Sequence, residues 1–145
     1  MYYQKIVLIL LSNDSKIDVE VKIMTTKIVV AGCRTYENYE EAKAFLDEFL
    51  TEYKEKTTLI FLSGGCKGAD ALGERYALET GYEIQRYPAL WKKYGRAAGP
   101  IRNEEMAKNC DIAICFWDGK SKGTASMIAL AKKHNKTVII KEIWE

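Results

Sequence analysis

The spacing of apolar residues changes at about residue 26. Before that point Ile17, Val19, Val21 and Ile23 alternate with Asp18, Glu20 and Lys22, the two-residue period of a half-buried strand. The polar stretch at residues 12–16 predicts a turn, so residues 1–26 read as a short N-terminal β extension, a β-hairpin. From Lys27 the pattern alternates strand and helix through residue 145. Residues 27–31 (KIVVA) predict a β-branched strand ending at Gly32. Ala42, Phe45, Leu46, Phe49 and Leu50 then share one helical face. Strands are predicted at residues 59–62, 83–87, 111–117 and 137–140. Between them, helices are predicted from Ala69 to a glycine cap at Gly81, over 99–109 and over 124–134.

Strands that are continuously apolar and alternate with helices predict buried parallel strands joined by right-handed crossovers. The fold class is therefore α/β, a three-layer α/β/α Rossmann-like parallel sheet of about five strands. In such sheets ligands sit beyond the C-terminal strand ends. Two glycine-rich runs follow strands and open helices there: Ser63-Gly64-Gly65-Cys66-Lys67-Gly68-Ala69-Asp70 and Asp118-Gly119-Lys120-Ser121-Lys122-Gly123-Thr124. A helix start offers unpaired N–H donors and the positive end of the helix dipole, a combination suited to phosphate. A single glycine run is as well explained by a tight turn. Two such runs beside Gly32, Cys33 and Arg34 point to a ligand. Neither a dinucleotide-type G-x-G-x-x-G nor a Walker A pattern is present.

The segment YPALWKKYGRAAGPIRNEEM at residues 87–106 puts Trp91 and Tyr94 in a loop, followed by Gly99, Arg102 and Asn103. An aromatic ring near guanidinium and amide groups can stack a base and pair with phosphate or ribose. Arg102 is read first as a ligand contact whose loss would leave stability almost unchanged, the alternative being a tie between its loop and an acidic neighbour. Asp70, close to a helix N-terminus, is expected to stay ionised and to cap the helix, hold a ribose hydroxyl or activate water.

Composition narrows the classes. The chain has 145 residues, 48% hydrophobic and 29% charged, with a net charge of +2. That balance makes no electrostatic case for an anionic membrane surface, and it makes nucleic acid an unlikely partner. No apolar run approaches the roughly 18 residues of a membrane helix, and no signal-peptide pattern is read at the N-terminus. Cys33, Cys66, Cys110 and Cys115 form no C-x-x-C and suit reduced thiols in a cytoplasmic protein. No metal-ligand spacing occurs and no cofactor is expected. His134, the sole histidine, falls at a predicted helix end, which leaves no Ser/His/Asp or Cys/His machinery.

The SGGCKGAD, PALWKKYGRAAGPIRNEEM and DGKSKGT stretches together resemble the YspA-like (DUF2493) family. That family falls within the SLOG superfamily of Rossmann-like proteins, with Smf/DprA and Lonely Guy proteins among its members. The resemblance covers residues 27–140. It implies binding of a nucleotide-derived ligand such as an ADP-ribose derivative, occurrence in bacteria and phages, and oligomers. Two positions depart from the pattern. Lonely Guy enzymes carry a catalytic glutamate in G-T-x-x-E, where this chain has Gly123-Thr124-Ala125-Ser126-Met127. Leu90 stands before Trp91 where relatives often carry an acid.

The first expectation is thus a sensor or sequestering protein for a nucleotide or nucleotide-derived ligand. Its contacts would come from Gly32, Cys33, Arg34, Gly64, Gly65, Cys66, Gly68, Asp70, Trp91, Gly99, Arg102, Asn103, Asp118, Ser121, Gly123 and Thr124. One alternative is a hydrolase or transferase acting on an N-glycosidic or phosphoester bond, with Asp70 as its acid or base. Another is a partner-binding subunit of a homo-oligomer that keeps a vestigial pocket.

Overall fold

The computed structural model describes the backbone of residues 2–11 and 16–143, and the side chains of residues 24–143. Strand β1 (Tyr2–Leu11) pairs antiparallel with the first part of β2 (Lys16–Gly32), in register from Tyr2 opposite Thr25 to Leu11 opposite Lys16. The pairing is the antiparallel one that the alternating residues predict; the turn expected at residues 12–16 falls, at 12–15, outside the described residues. One strand carries both sequence patterns, because residues 24–27 (MTTK) hold no glycine or proline to break it. Thr26 is buried there and its Oγ1 lies 2.9 Å from Thr57 Oγ1.

The remaining elements follow the predicted alternation. They are α1 (Tyr39–Lys56), β3 (Thr58–Ser63), α2 (Ala69–Thr80), β4 (Glu83–Arg86), α3 (Trp91–Tyr94), α4 (Ala98–Asn109), β5 (Ile112–Trp117), α5 (Lys122–Lys133) and β6 (Thr137–Glu142). Helix α3 and the 3-10 turn Gly95–Ala97 replace the predicted loop around Trp91. Four residues are too few to display a helical period. His134 is the C-cap residue of α5.

The parallel strands run in the order β4-β3-β2-β5-β6. Successive side chains of β2 face opposite layers, as strand geometry requires. Ile28 and Val30 join Leu46, Leu50, Phe61, Tyr76, Ile114 and Phe116 under α1 and α2, whereas Val29 and Ala31 join Met106, Ala113, Cys115, Met127 and Ile128 under α4 and α5. Burial pushes the Cys115 thiol up to about 12 and that of Cys110 to about 11. These two cysteines are therefore inert packing groups.

After β2 the chain winds to β3 and β4 on one side, then crosses back to β5 and β6 on the other. The strand order thus reverses between β2 and β5, and in open α/β sheets the ligand crevice lies outside such a point. Close packing of α2 on β2 holds one wall of this crevice. A Cβ added to Gly73 would stand 2.6 Å from Val30 Cβ. Gly73→Ala is therefore expected to lower stability by about 1–3 kcal/mol through overpacking, more than the helix-propensity gain returns. Thermal denaturation checks this, and a stabilised variant would contradict the tight α2–β2 contact.

Candidate functional site

Three loops meet at the reversal point: residues 33–38 after β2, 64–68 after β3 and 118–121 after β5. The first loop meets the start of α2 through backbone. The Ala69 N–H donates to the Cys33 carbonyl at 3.2 Å, and Gly68, the N-cap of α2, has a φ of 76°. A Cβ at Gly68 would collide with the Cys33 carbonyl. Glycine is required there by both conformation and space.

A cleft of about 360 Å³ opens between these loops. Of the residues singled out from sequence, Gly32, Cys33, Arg34, Cys66, Asp70, Arg102, Asn103, Asp118, Ser121, Gly123 and Thr124 line it. A second cleft of about 380 Å³ adjoins it through the shared residues Arg34, Cys66 and Arg102, and Gly64, Gly65 and Trp91 line that one. Gly68 and Gly99 line neither. Gly99 lies beneath the Trp91 ring, where a Cβ would be 3.4 Å from its Cη2. Thr35, Met106 and Met127 also line the first cleft, and Lys67 and Ala89 the second. Thr35 could have been found from its position just beyond β2. Met127 had a signal in its place at the glutamate position of the G-T-x-x-E pattern, whereas the spacing of Met106 marks only a packed helix face.

The α5 end of the first cleft presents a helix start with no side-chain cap. Asp118 Oδ1 accepts the N–H groups of Lys120 and Ser121, each at 2.8 Å, and these bonds hold its carboxyl below the usual range. Trp117 Nε1 donates to the Ser121 carbonyl at 3.1 Å and Thr124 Oγ1 to Ser121 Oγ at 3.1 Å. The loop is thereby fixed. No side chain caps α5, however, so the first-turn N–H groups around Gly123 and Thr124 face a ligand without competition from a cap. Gly123 has open space around it.

The α2 end is chemically different. Asp70 is buried and accepts the Cys66 N–H at 3.4 Å. It does not cap α2. Burial pushes its carboxyl up to about 6, against the pull of that bond and of Arg102 and Arg34; Glu74 adds to the rise. Asp70 thus stays ionised at neutral pH, but its pKa is raised rather than lowered, since burial outweighs the helix terminus; the expectation corrected is that it caps α2. A carboxylate here repels phosphate and accepts hydroxyls.

Arg102 is 8% exposed and has a scaffold role, bonded to backbone carbonyls and an amide rather than to an acidic neighbour. Its NH1 donates to the Gly64 carbonyl at 2.6 Å and to that of Tyr87 at 3.5 Å, and its Nε donates to Asn103 Oδ1 at 2.9 Å. Its NH2 reaches Cys66 Sγ at 3.6 Å. The guanidinium therefore ties the loops after β3 and β4 to α4. The expectation that its loss leaves stability unchanged is corrected. Arg102→Ala should cost roughly 2–4 kcal/mol, because part-buried carbonyls lose a charged donor and Asp70 loses a compensating charge. Chemical denaturation measures this, and a loss below about 0.5 kcal/mol would return Arg102 to a pure ligand contact.

Asp70 gives a pH signature. Its folded pKa of about 6 stands above the ordinary 3.8, so the native state binds more protons between those values. Stability therefore falls as pH rises through that window, and at neutral pH the charge costs roughly 3 kcal/mol. Asp70→Asn should raise the melting temperature at about pH 7.5 and change it little near pH 4. A destabilised variant at neutral pH would mean that the carboxylate's bonds outweigh its burial.

With this geometry in hand, comparison with known proteins bears out the resemblance. Residues 26–94 match the model of the YAcAr family, described as the YspA, cpYpsA-related SLOG family. The Gene 61 protein of Mycobacterium phage D29 is 28% identical over 120 residues, 78% of this chain and 94% of that protein. Among solved structures, DNA processing protein A from Streptococcus pneumoniae superposes with a TM-score of 0.62 at 17% identity, over 81% of this chain and 50% of its own. The Helicobacter pylori DNA processing protein A, described for its single-stranded DNA binding mode, gives 0.60 at 18% identity over 79% and 64%. TM1055, a structural genomics target, gives 0.56 at 19% identity over 79% and 72%. The chain thus spans half to two-thirds of the two DNA processing proteins.

These matches show a Rossmann-like fold shared with the DNA processing proteins and TM1055, and a likeness to the SLOG family over residues 26–94. They also correct the reading of nucleic acid as an unlikely partner, because a protein of this fold binds single-stranded DNA. A net charge of +2 averages over the whole surface and conceals local basic stretches. Among the described residues no helix is long and apolar enough to cross a membrane.

Proposed function

We propose that the cleft between β2, β3 and β5 binds a nucleotide-derived ligand of the ADP-ribose class, as a sensor or sequestering site. The phosphate lies at the α5 start, against the N–H groups of Gly123 and Thr124, with Arg34 supplying positive charge. A ribose hydroxyl donates to Asp70, and the base turns toward Trp91 in the adjoining cleft. The observation that carries this reading is the pairing, in one cleft, of an uncapped helix start and a buried carboxylate. One end suits an anion and the other a hydroxyl, as a nucleotide requires.

Binding without turnover is favoured by Met127. Its side chain is buried and lines the cleft in the stretch where Lonely Guy enzymes hold a glutamate. A thioether cannot activate water, so the contribution of a positioned base, roughly 10²–10⁴-fold, is lost at that position. Asp70 is the remaining carboxylate with the burial and raised pKa of a proton-transfer group, which keeps a hydrolase as the second reading.

Gly123→Asp separates ligand binding from folding. The position has space for a side chain and an acid is welcome in a first helical turn, so the melting temperature should hold. The new carboxylate would repel the ligand phosphate, so calorimetry with ADP-ribose should show heat for the parent and none for the variant. Equal affinities would remove phosphate from this loop. Chromatography of AMP and ADP-ribose incubated with the parent should show no base release, whereas turnover lost in Asp70→Asn would establish an enzyme.

A further inference from the structure

At the mouth of the second cleft lies a surface of which only Trp91 has been given a role so far. Residues 90–97 are all exposed, Trp91 by 57% and Tyr94 by 39%. Large aromatic rings in that position forgo the burial that usually places them in a core. They are also set among positive charge. Between Glu83 and Glu104 the chain has no acidic residue and five basic ones, namely Arg86, Lys92, Lys93, Arg96 and Arg102. Arg86 is paired with Glu74 at 3.2 Å and Arg102 is buried. Lys92, Lys93 and Arg96 have no ion-pair partner among the described residues, and Lys93 Nζ sits 5.0 Å from the centre of the Tyr94 ring. The neighbouring acid on α4, Glu104, is turned to Lys133 and His134.

We infer that α3 and the turn after it form a docking surface for single-stranded nucleic acid, continuous with the nucleotide cleft. The inference rests on the reading of that cleft as a nucleotide site. Stacking of bases on exposed rings, with lysines and arginines following the backbone phosphates, is the chemistry by which proteins hold single strands without sequence preference. The geometry supports continuity: Trp91 lines the second cleft, and that cleft shares Arg34, Cys66 and Arg102 with the first. One nucleotide in the first cleft would direct its neighbours across Trp91 and then over Tyr94, beside Lys92, Lys93 and Arg96. A duplex cannot use this surface in the same way, because its bases are already stacked on each other. An anionic membrane would meet the same lysines but would have no use for the adjoining cleft.

The test is fluorescence anisotropy with a labelled oligodeoxythymidylate of about 15 nucleotides, run beside ADP-ribose calorimetry. The parent should bind the oligonucleotide with affinity that falls as salt rises. Trp91→Ala should weaken that binding by roughly ten- to a hundredfold through lost stacking. The double variant Lys92→Glu, Lys93→Glu should weaken it and flatten the salt slope by about 0.7 for each phosphate no longer neutralised, while ADP-ribose binding stays as in the parent. These substitutions sit on exposed positions, and circular dichroism confirms that each variant folds. Oligonucleotide binding that is absent in the parent, or equal in all variants, would overturn the docking surface. If ADP-ribose heat persists in that case, the nucleotide site stands and only this inference fails. Duplex DNA bound as tightly as the single strand would likewise overturn it. So would vesicles containing phosphatidylglycerol that capture the parent while the oligonucleotide does not.

Discussion

The guanidinium of Arg102 is the constraint on which the candidate site depends. It is buried at the second turn of α4, where it bonds the Gly64 and Tyr87 carbonyls and reaches Cys66 Sγ and Asn103 Oδ1. Each of these acceptors lies on a segment that the parallel sheet alone does not position. Strand order brings the ends of β3 and β4 near α4, but the conformation of their loops is set by what they bond. With the guanidinium in place, the 64–68 loop stands at a fixed distance from α4, and the division into two adjoining clefts follows. The planar fork of arginine can serve several acceptors at once, which a lysine ammonium does not reproduce.

Charge in the clefts is graded rather than uniformly positive. At the α5 end, Asp118 consumes the N–H groups of its own loop and leaves the helix start for a ligand. At the α2 end, Asp70 is buried beside Arg102, with a carboxyl that titrates close to neutrality. A ligand with phosphate at one end and hydroxyls at the other satisfies both. A bare polyanion filling the first cleft would be repelled by Asp70. Farther out, beyond Trp91, the acids stop and the surface becomes aromatic and basic. The electrostatic profile thus changes from phosphate end, to hydroxyl end, to an open platform.

Much of this was legible in the residues. The alternation of apolar strands with periodic helices predicts the parallel sheet, and glycine at the strand–helix junctions predicts where ligands approach. Eleven of the sixteen residues singled out line the first cleft. Three features were hidden, each for a physical reason. Helix α3 is four residues long, shorter than one hydrophobic repeat. The role of Arg102 depends on backbone carbonyls, which every residue carries and which leave no mark in sequence. The raised pKa of Asp70 depends on burial, and burial is a property of the assembled loops rather than of the first turn of α2. Net charge misled in the opposite direction: a total of +2 hid the basic stretch at residues 86–102.

The most direct measurement is a nitrogen–proton correlation spectrum of the labelled protein, titrated with ADP-ribose. The amide signals of Gly123, Thr124, Cys66 and Asp70 are expected to move in proportion to ligand bound. Those of Gly81 and Asn135, at turns that follow α2 and α5, are expected to stay still. Shifts confined to such remote turns, or no shifts at millimolar ligand, would contradict nucleotide binding at the β2–β5 crevice.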